Sequence, residues 1–204
     1  MSIPEGSSAE KKNRIIRGAE LVFAEDGYEG ASMSRIAARA EVSKGTLYNY
    51  FESKAVLFAE FVTRKTTTTL AIVFDPVDLD EPLERILHGT ASRFISQIMA
   101  PASIVLYRIV IAEASKFPDL ARAYWENGPQ RGISHMAALL QHQIDAGQLR
   151  PADPRLAAGQ FLALCQPPTC MMRRLELLPD LDAAAIDAIA ADAVRLFLDG
   201  HRAG

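Results

Sequence analysis

Apolar residues in the first third of the chain recur at the spacing of a short helix. Met33, Ile36, Ala37 and Ala40 occupy positions i, i+3, i+4 and i+7, which puts them on one helical face. Ser32 precedes this stripe, and its hydroxyl can accept a hydrogen bond from a free amide of the first turn. The pattern predicts a short helix that begins just after Ser32.

A second short helix is predicted directly after it. Ser43 can cap a helix over residues 44–51, in which Leu47 and Phe51 lie four positions apart and can both pack inward. Two short helices joined by a turn of about three residues are typical of a helix-turn-helix, whose second helix lies in the major groove of DNA. We therefore predict a helix-turn-helix over about residues 33–52.

The outward residues of the second helix suit contact with DNA. Lys44 carries a positive charge, while Thr46, Tyr48 and Asn49 offer hydrogen-bonding groups. Gly45 has no side chain, so the backbone can approach DNA closely there. Such groups can bind phosphates and base edges.

One stretch of this region resembles a known family. The segment IAARAEVSKGTLYNYFESKAVLF, with the preceding FAEDGYEGAS, is similar to the DNA-binding segment of the TetR family of bacterial transcriptional regulators. The similarity is dense from about Lys12 to Phe61, and SKGTLYNYFESK is its most specific part. The resemblance implies a three-helix DNA-binding head on an all-α, ligand-binding body that also forms the homodimer.

The rest of the chain also has helical spacing. Beyond residue 80 no strand pattern competes, so we predict a bundle of five or six helices. The stretches LYRIVIAEASKFPDLARAYWENGP and GQLRPADPRLAAGQFLAL resemble the AefR-like C-terminal domain of TetR/AcrR members, from about Arg93 to Met172. Pro167-Pro168 must kink or split its helix. The pair fits either the edge of a ligand pocket or a plain break between helices.

The predicted fold is therefore all-α, with a three-helix N-terminal helix-turn-helix domain and a C-terminal helical bundle. The first helix runs from Glu10 to Asp26 and stops at Gly27, and a linking helix begins near Lys54 and ends before Asp75-Pro76. The predicted divisions are a disordered tail over residues 1–9, the DNA-binding domain over 10–55, the linking helix over 56–79, and the ligand-binding and dimerisation domain over 80–204.

Four successive threonines, Thr66–Thr69, fall in the linking helix. Their hydroxyls can bond to carbonyls one turn earlier, which softens a helix. They fit a hinge between head and body or, equally, an exposed polar face.

Charge restricts how the protein can bind nucleic acid. The 204-residue chain has a net charge of −3, and residues 1–55 contain eight Lys/Arg and eight Asp/Glu. Contact with DNA must therefore come from local groups, because there is no general basic field.

The sequence lacks the motifs of several classes of enzyme. The chain has no phosphate-binding glycine loop with lysine, no G-x-S-x-G elbow and no HExxH, so we expect no enzyme, no cofactor and no metal. Its two cysteines, Cys165 and Cys170, cannot form a disulfide framework. A redox or metal-binding pair is the less favoured alternative to buried thiols. No signal peptide or membrane span is visible, so we expect a cytoplasmic protein.

The predicted DNA contacts combine the outward residues with their neighbours. Lys54 is the strongest candidate for a backbone phosphate, because it lies where a helix with free amides begins. Ser34, Arg35 and Tyr50 are expected to position the DNA backbone. The full set is Ser34, Arg35, Ser43, Lys44, Gly45, Thr46, Tyr48, Asn49, Tyr50 and Lys54.

An effector pocket should be mainly apolar and aromatic. Residues of this type at helical spacing are also typical of an ordinary core, and both readings stay open. The candidates are Phe94, Tyr107, Trp125, Phe161, Cys165 and Met171.

The resemblance implies a ligand-responsive repressor that binds a palindromic operator as a homodimer. Dimerisation is expected through the last two predicted helices, 155–178 and 183–199. An unknown small molecule, apolar or aromatic, would favour a body conformation that mis-spaces the two heads. The alternative is a small-molecule sensor or carrier that acts through protein partners and has a non-functional head.

Overall fold

The computed structural model describes residues 5–75 and 77–203. Within these residues the regular structure is helical, apart from one isolated antiparallel bridge between Leu149 and Arg202, and the all-α prediction is confirmed. No single helix in this part of the chain has the length and apolar composition of a membrane span, although the bent helix pair Leu83–Met99 and Pro101–Glu113 passes that test together. The helices are α1 (Glu5–Gly30), α2 (Met33–Arg39), α3 (Lys44–Tyr50), α4 (Lys54–Phe74), α5 (Leu83–Met99), α6 (Pro101–Glu113), α7 (Pro118–Asn127), α8 (Pro129–Asp145), α9 (Pro154–Leu164), α10 (Pro168–Arg174) and α11 (Ala183–His201).

The first helix begins earlier than the sequence predicts. Residues 1–4 of the predicted disordered tail lie outside the described residues, but residues 5–9 are helical and belong to α1. A tertiary contact explains the difference, because the Ser8 hydroxyl lies 3.1 Å from the Tyr50 hydroxyl. At Gly27 the backbone leaves the helical conformation, with φ of 70°, as the predicted helix stop requires.

The chain forms two compact units. The first contains the described residues up to Thr66 together with Val105–Gly128, and the second contains Thr67–Ile104 and the described residues from Pro129 onward. This division differs from the predicted one, because α7 and most of α6 share a core with the head. Leu106, Ile109 and Val110 are buried in the same cluster as the head residues.

The first unit is built around aromatic rings. The centre of the Phe58 ring lies 5.2 Å from that of Phe23 and 5.2 Å from that of Tyr28, both in edge-to-face geometry. The ring centres of Phe61 and Phe58 are 6.0 Å apart. Phe117, between α6 and α7, packs against Tyr28 with the two ring centres 4.9 Å apart. This cluster ties α1 and the start of α4 to the α6–α7 connection.

The second unit has a more aliphatic core, drawn mainly from α5, α8, α9 and α11. Beyond residue 80 the described chain has seven helices, where the sequence predicts five or six. The additional helix arises at Pro167-Pro168, where α9 has ended and Pro168 begins α10. A proline is compatible with the first turn of a helix but not with its interior.

Candidate DNA-binding surface

The first helix of the predicted motif forms as the sequence indicates. Ser32 is the N-cap of α2, and its Oγ accepts a hydrogen bond from the Arg35 amide at 3.2 Å. Met33, Ile36 and Ala37 are buried. These residues hold α2 against α1.

The second helix is capped and anchored in the same way. The Ser43 Oγ accepts a hydrogen bond from the Thr46 amide at 3.0 Å and lies 2.8 Å from the Thr46 hydroxyl. Leu47 is fully buried and Phe51 nearly so, which fixes the inner face of α3. Ser43 and Thr46 therefore stabilise the start of the recognition helix.

The outer face of α3 is open. Lys44, Gly45, Tyr48 and Asn49 are exposed, and the Lys44 ammonium lies 6.0 Å from the centre of the Tyr48 ring. Ser34 on α2 is exposed as well. A cation, an amide and a phenol thus share the accessible side of this helix.

Two predicted contacts have strong partners within the protein. The Arg35 guanidinium pairs with Asp26 at 2.6 Å and with Glu25 at 2.8 Å. The Tyr50 hydroxyl contacts Ser8. Arg35 therefore holds α2 to the end of α1, and a phosphate contact would compete with both ion pairs.

Lys54, the third predicted contact with partners within the protein, is only partly exposed. Its ammonium donates to the carbonyl oxygens of Tyr28 at 2.6 Å, Glu29 at 3.1 Å and Ala31 at 2.9 Å. A lysine ammonium has three donors and no acceptor, so these bonds use its full capacity. Partial burial lowers the pKa of Lys54, although Glu113 and Glu29 oppose this effect. The ammonium predicted to contact a backbone phosphate therefore has three partners within the protein.

The sequence prediction does not include the close approach at Gly18. A Cβ atom placed on this glycine of α1 would lie 3.0 Å from both the Cβ and the backbone nitrogen of Ala40. The turn of the helix-turn-helix therefore packs directly on α1. A glycine inside an otherwise regular helical pattern is the signal that could have revealed it.

Two family profiles match this architecture. The profile described as "Bacterial regulatory proteins, tetR family" matches residues 15–61, which contain the helix-turn-helix. The profile described as "AefR-like transcriptional repressor, C-terminal domain" matches residues 85–203. The chain belongs to the TetR family. Both resemblances inferred from the sequence are confirmed.

Individual TetR-family proteins are similar over most of their length. The Escherichia coli (strain K12) transcriptional regulator UidR is 31% identical over 144 residues, which cover 69% of each chain. A crystal structure of a TetR-family regulator from Mesorhizobium loti has a TM-score of 0.87 at 29% identity and covers 96% of this chain and 98% of its own. The Flavonoid-responsive Regulator FrrA has a TM-score of 0.83 at 32% identity and covers 95% and 98%.

Membership of the TetR family makes this protein a DNA-binding transcriptional regulator. The family consists of regulators and not of enzymes. TetR regulators bind operator DNA, typically as dimers that respond to small molecules. The carrier hypothesis is accordingly not favoured.

The six predicted effector-site residues are spread across the TetR fold. Tyr107 and Trp125 belong to the first compact unit, whereas the other four belong to the second. Phe161 and Cys165 are fully buried in the second core, and Met171 and Trp125 are each 52% exposed. An open groove of about 690 Å³ along α5 and α11 contains none of the six.

The two cysteines are buried thiols. Both have zero exposure, and the Cys170 Sγ lies 4.0 Å from the Cys165 carbonyl oxygen. Burial raises the pKa of Cys165 to about 12 and also raises the pKa of Cys170. Reactive cysteines have lowered pKa values, so this environment favours a packing role.

Proposed function

We propose that this TetR-family regulator is a repressor that binds a near-palindromic operator as a homodimer and leaves it when an effector binds. The observation that carries the proposal is the two-sided recognition helix, with Leu47 buried and Lys44, Tyr48 and Asn49 exposed. Two such helices would enter successive major grooves, about 34–36 Å apart. The proposed working compartment is the bacterial cytoplasm, where the operator lies.

The exposed groups suggest distinct roles in this complex. Tyr48 and Asn49 are proposed to contact base edges, and Lys44 a phosphate. Ser34 and the first amides of α4 are proposed to contact the DNA backbone, because a helix N-terminus attracts phosphate. Gly45 permits close approach of the backbone, while Ser43, Thr46 and Tyr50 hold α3 in place.

Fluorescence anisotropy with fragments of the protein's own upstream region, at fixed salt, tests this assignment. Asn49→Ala should cost about 1–3 kcal/mol on the operator and little on unrelated DNA. Lys44→Met should weaken binding to all sequences alike. Arg85→Met is the matched control, since Arg85 is an exposed cation of the second unit. Operator preference that survives Asn49→Ala would contradict the base-reading role.

Dimerisation is proposed through the C-terminal helices, as the family resemblance implies. Large apolar side chains are exposed along α9, α10 and α11 and beside them, which fits a surface covered by a second copy. They are Leu156, Met171, Met172, Leu175, Leu177 and Leu196.

Sedimentation equilibrium can test the dimer surface. The double variant Leu175→Glu/Leu177→Glu should be monomeric, because both side chains are more than 60% exposed in one copy. Leu21→Glu changes a comparably apolar exposed site on α1, and this control should stay dimeric. Dissociation of the control, or persistence of the dimer in the double variant, would place the interface elsewhere.

The effector site is proposed in the second unit, near Arg93 and Phe94 of α5. The Arg93 Nε donates to the Val73 carbonyl at 3.0 Å, and no described carboxylate pairs with this guanidinium. Burial lowers the pKa of Arg93. A guanidinium with no carboxylate partner among the described residues, on the same helix as Phe94, suits an aromatic compound with an acidic group. The flavonoid response of FrrA points to the same chemical class.

Release of labelled operator DNA tests the effector class. A flavonoid panel should release the DNA, and a saturated fatty acid should not. Arg93→Met should weaken the response to acidic members of the panel, whereas Arg85→Met should respond like the wild type. Equal responses of the two variants would remove Arg93 from the site.

A further inference from the structure

The segment that follows the kink of α1 at Gly27 and leads toward α2, Tyr28–Ala31, is held by a lysine that follows it by more than twenty residues. We call this segment the α1–α2 corner. The Lys54 ammonium donates to three carbonyls of the corner, at 2.6, 3.1 and 2.9 Å, and lies 4.6 Å from the centre of the Tyr28 ring. Charge-assisted hydrogen bonds of this kind are stronger than neutral ones.

A second set of contacts reaches the same corner from α6 and the residues after it. Glu113 Oε1 accepts a hydrogen bond from the Glu29 amide at 3.1 Å. Lys116 pairs with the Glu29 carboxylate, and Phe117 packs edge-on against Tyr28 at 4.9 Å. The hydrogen bond and charge of each partner lower the pKa of Glu29 and raise that of Lys116. Residues 113–117 belong to the same compact unit as the corner.

The position of the corner determines where the recognition helix lies. Gly27 ends the regular part of α1, and the corner leads into Ser32, the N-cap of α2. Lys54 begins α4 just after α3. The three hydrogen bonds therefore join the two ends of the helix-turn-helix segment, residues 32–53, and close it into a loop. Such a closure limits the orientations that the segment can adopt.

We propose that Lys54 is a positioning residue that clamps the two ends of the helix-turn-helix, and that Glu113 and Lys116 hold the same corner from α6 and its following residues. The Lys54 side chain thus supports operator binding without touching a phosphate. The proposal rests on operator binding as the function of this surface. It differs from the sequence prediction, which made Lys54 a contact to the DNA backbone.

The dependence of operator affinity on salt separates the two roles. The slope of log K against log [salt] is negative, and each lost phosphate contact reduces its magnitude by about 0.9. Lys44→Met is the matched lysine control, and the magnitude of its slope should decrease. Lys54→Met should weaken operator binding by about tenfold or more, because three carbonyls, two of them in part-buried hydrogen bonds, lose a charged donor. The magnitude of its slope should stay at the wild-type value. A slope whose magnitude decreases as it does in Lys44→Met would overturn the proposal.

Glu113 supplies a second, milder test. Glu113→Gln keeps an oxygen that can accept from the Glu29 amide, whereas Glu113→Ala removes it. We expect Glu113→Ala to lower operator affinity at unchanged slope, with circular dichroism showing an intact fold, and Glu113→Gln to retain most of the affinity. Equal operator affinity of Glu113→Ala and the wild type would overturn the proposed role of Glu113 in holding the corner.

Hydrogen exchange tests the clamp without DNA. Amides of residues 28–36 should exchange faster in Lys54→Met than in Lys44→Met, since only the former opens the corner. Equal exchange in both variants would overturn the clamp. If the wild-type protein shifts no DNA fragment at all, the operator function fails, but the exchange result still decides whether Lys54 holds the corner.

Discussion

The cores of the two compact units differ in kind. In the first, rings of Phe23, Tyr28, Phe58, Phe61 and Phe117 contact one another, whereas the second relies mainly on aliphatic and small residues around the pair Phe161 and Phe197. The first unit must fix α2 and α3, which have seven residues each. Helices this short are not stable alone, so their orientation depends on what lies beneath them. An aromatic cluster gives the recognition surface a rigid base.

The largest test of this comparison removes one ring from each core. Phe58→Ala and Phe161→Ala should each lower the free energy of unfolding by about 3–5 kcal/mol, because both rings are almost fully buried. The chain has one tryptophan, Trp125, and it lies in the first unit. In urea titrations, Phe58→Ala should shift the fluorescence midpoint most, and Phe161→Ala the circular dichroism midpoint.

The two probes also show whether the units unfold separately. Identical shifts of both probes in both variants would mean that the protein unfolds as one cooperative unit. The difference between the cores would then have no thermodynamic counterpart.

A smaller effect is expected from adding one methyl group to a helical glycine in each unit. Gly18→Ala should destabilise the protein by about 1–3 kcal/mol, because the new Cβ would lie 3.0 Å from Ala40 and the turn cannot move freely. Gly159→Ala is the control in the second unit, where a new Cβ meets nothing within 4 Å. It should stabilise α9 by about 0.5–1 kcal/mol in thermal unfolding.

Either result at Gly159 is informative. A loss of stability there would mean that another molecule packs on α9, which is part of the proposed dimer surface. A neutral Gly18→Ala would show that the first unit is less tightly packed than its geometry indicates.

Local features of the site could be predicted, and distant ones could not. Ser32 and Ser43 cap helices that start at the next residue, so their roles are written within a few positions of sequence. The role of Lys54 depends on backbone carbonyls at positions 28, 29 and 31, and carbonyls leave no mark in a sequence. The early start of α1 rests on a contact between Ser8 and Tyr50, which are 42 positions apart.

The effector-site prediction was limited by the same cause. Aromatic residues at helical spacing identify an apolar face but not the surface that it meets. Phe161 lies in the core while Trp125 is half exposed, although both fit the pattern equally well. Arg93 gave no periodic signal, since its interest lies in the absence of a carboxylate partner among the described residues.

Helix caps offer a finer comparison of the units. Ser43→Ala and Asp182→Ala each remove an acceptor for a first-turn amide, at 3.0 Å and 2.8 Å, and each should cost about 1 kcal/mol in urea unfolding. Only Ser43→Ala should also weaken operator binding in an anisotropy titration, because α3 carries the exposed face. Weaker binding by Asp182→Ala would show that the second unit influences the head.

The smallest expected effect on stability at neutral pH comes from the two thiols, and both lie in the second unit. Because the pKa of Cys165 is about 12 when folded and about 8.5 when unfolded, the folded state holds its proton more tightly. This contribution to stability is complete below about pH 8.5 and is lost as the pH rises toward 12. Labelling with a disulfide reagent at pH 7.5 should therefore be slow in the native protein and fast in urea. Since Trp125 reports the first unit and the thiols report the second, rapid native labelling with unchanged fluorescence would reveal opening of the second unit alone.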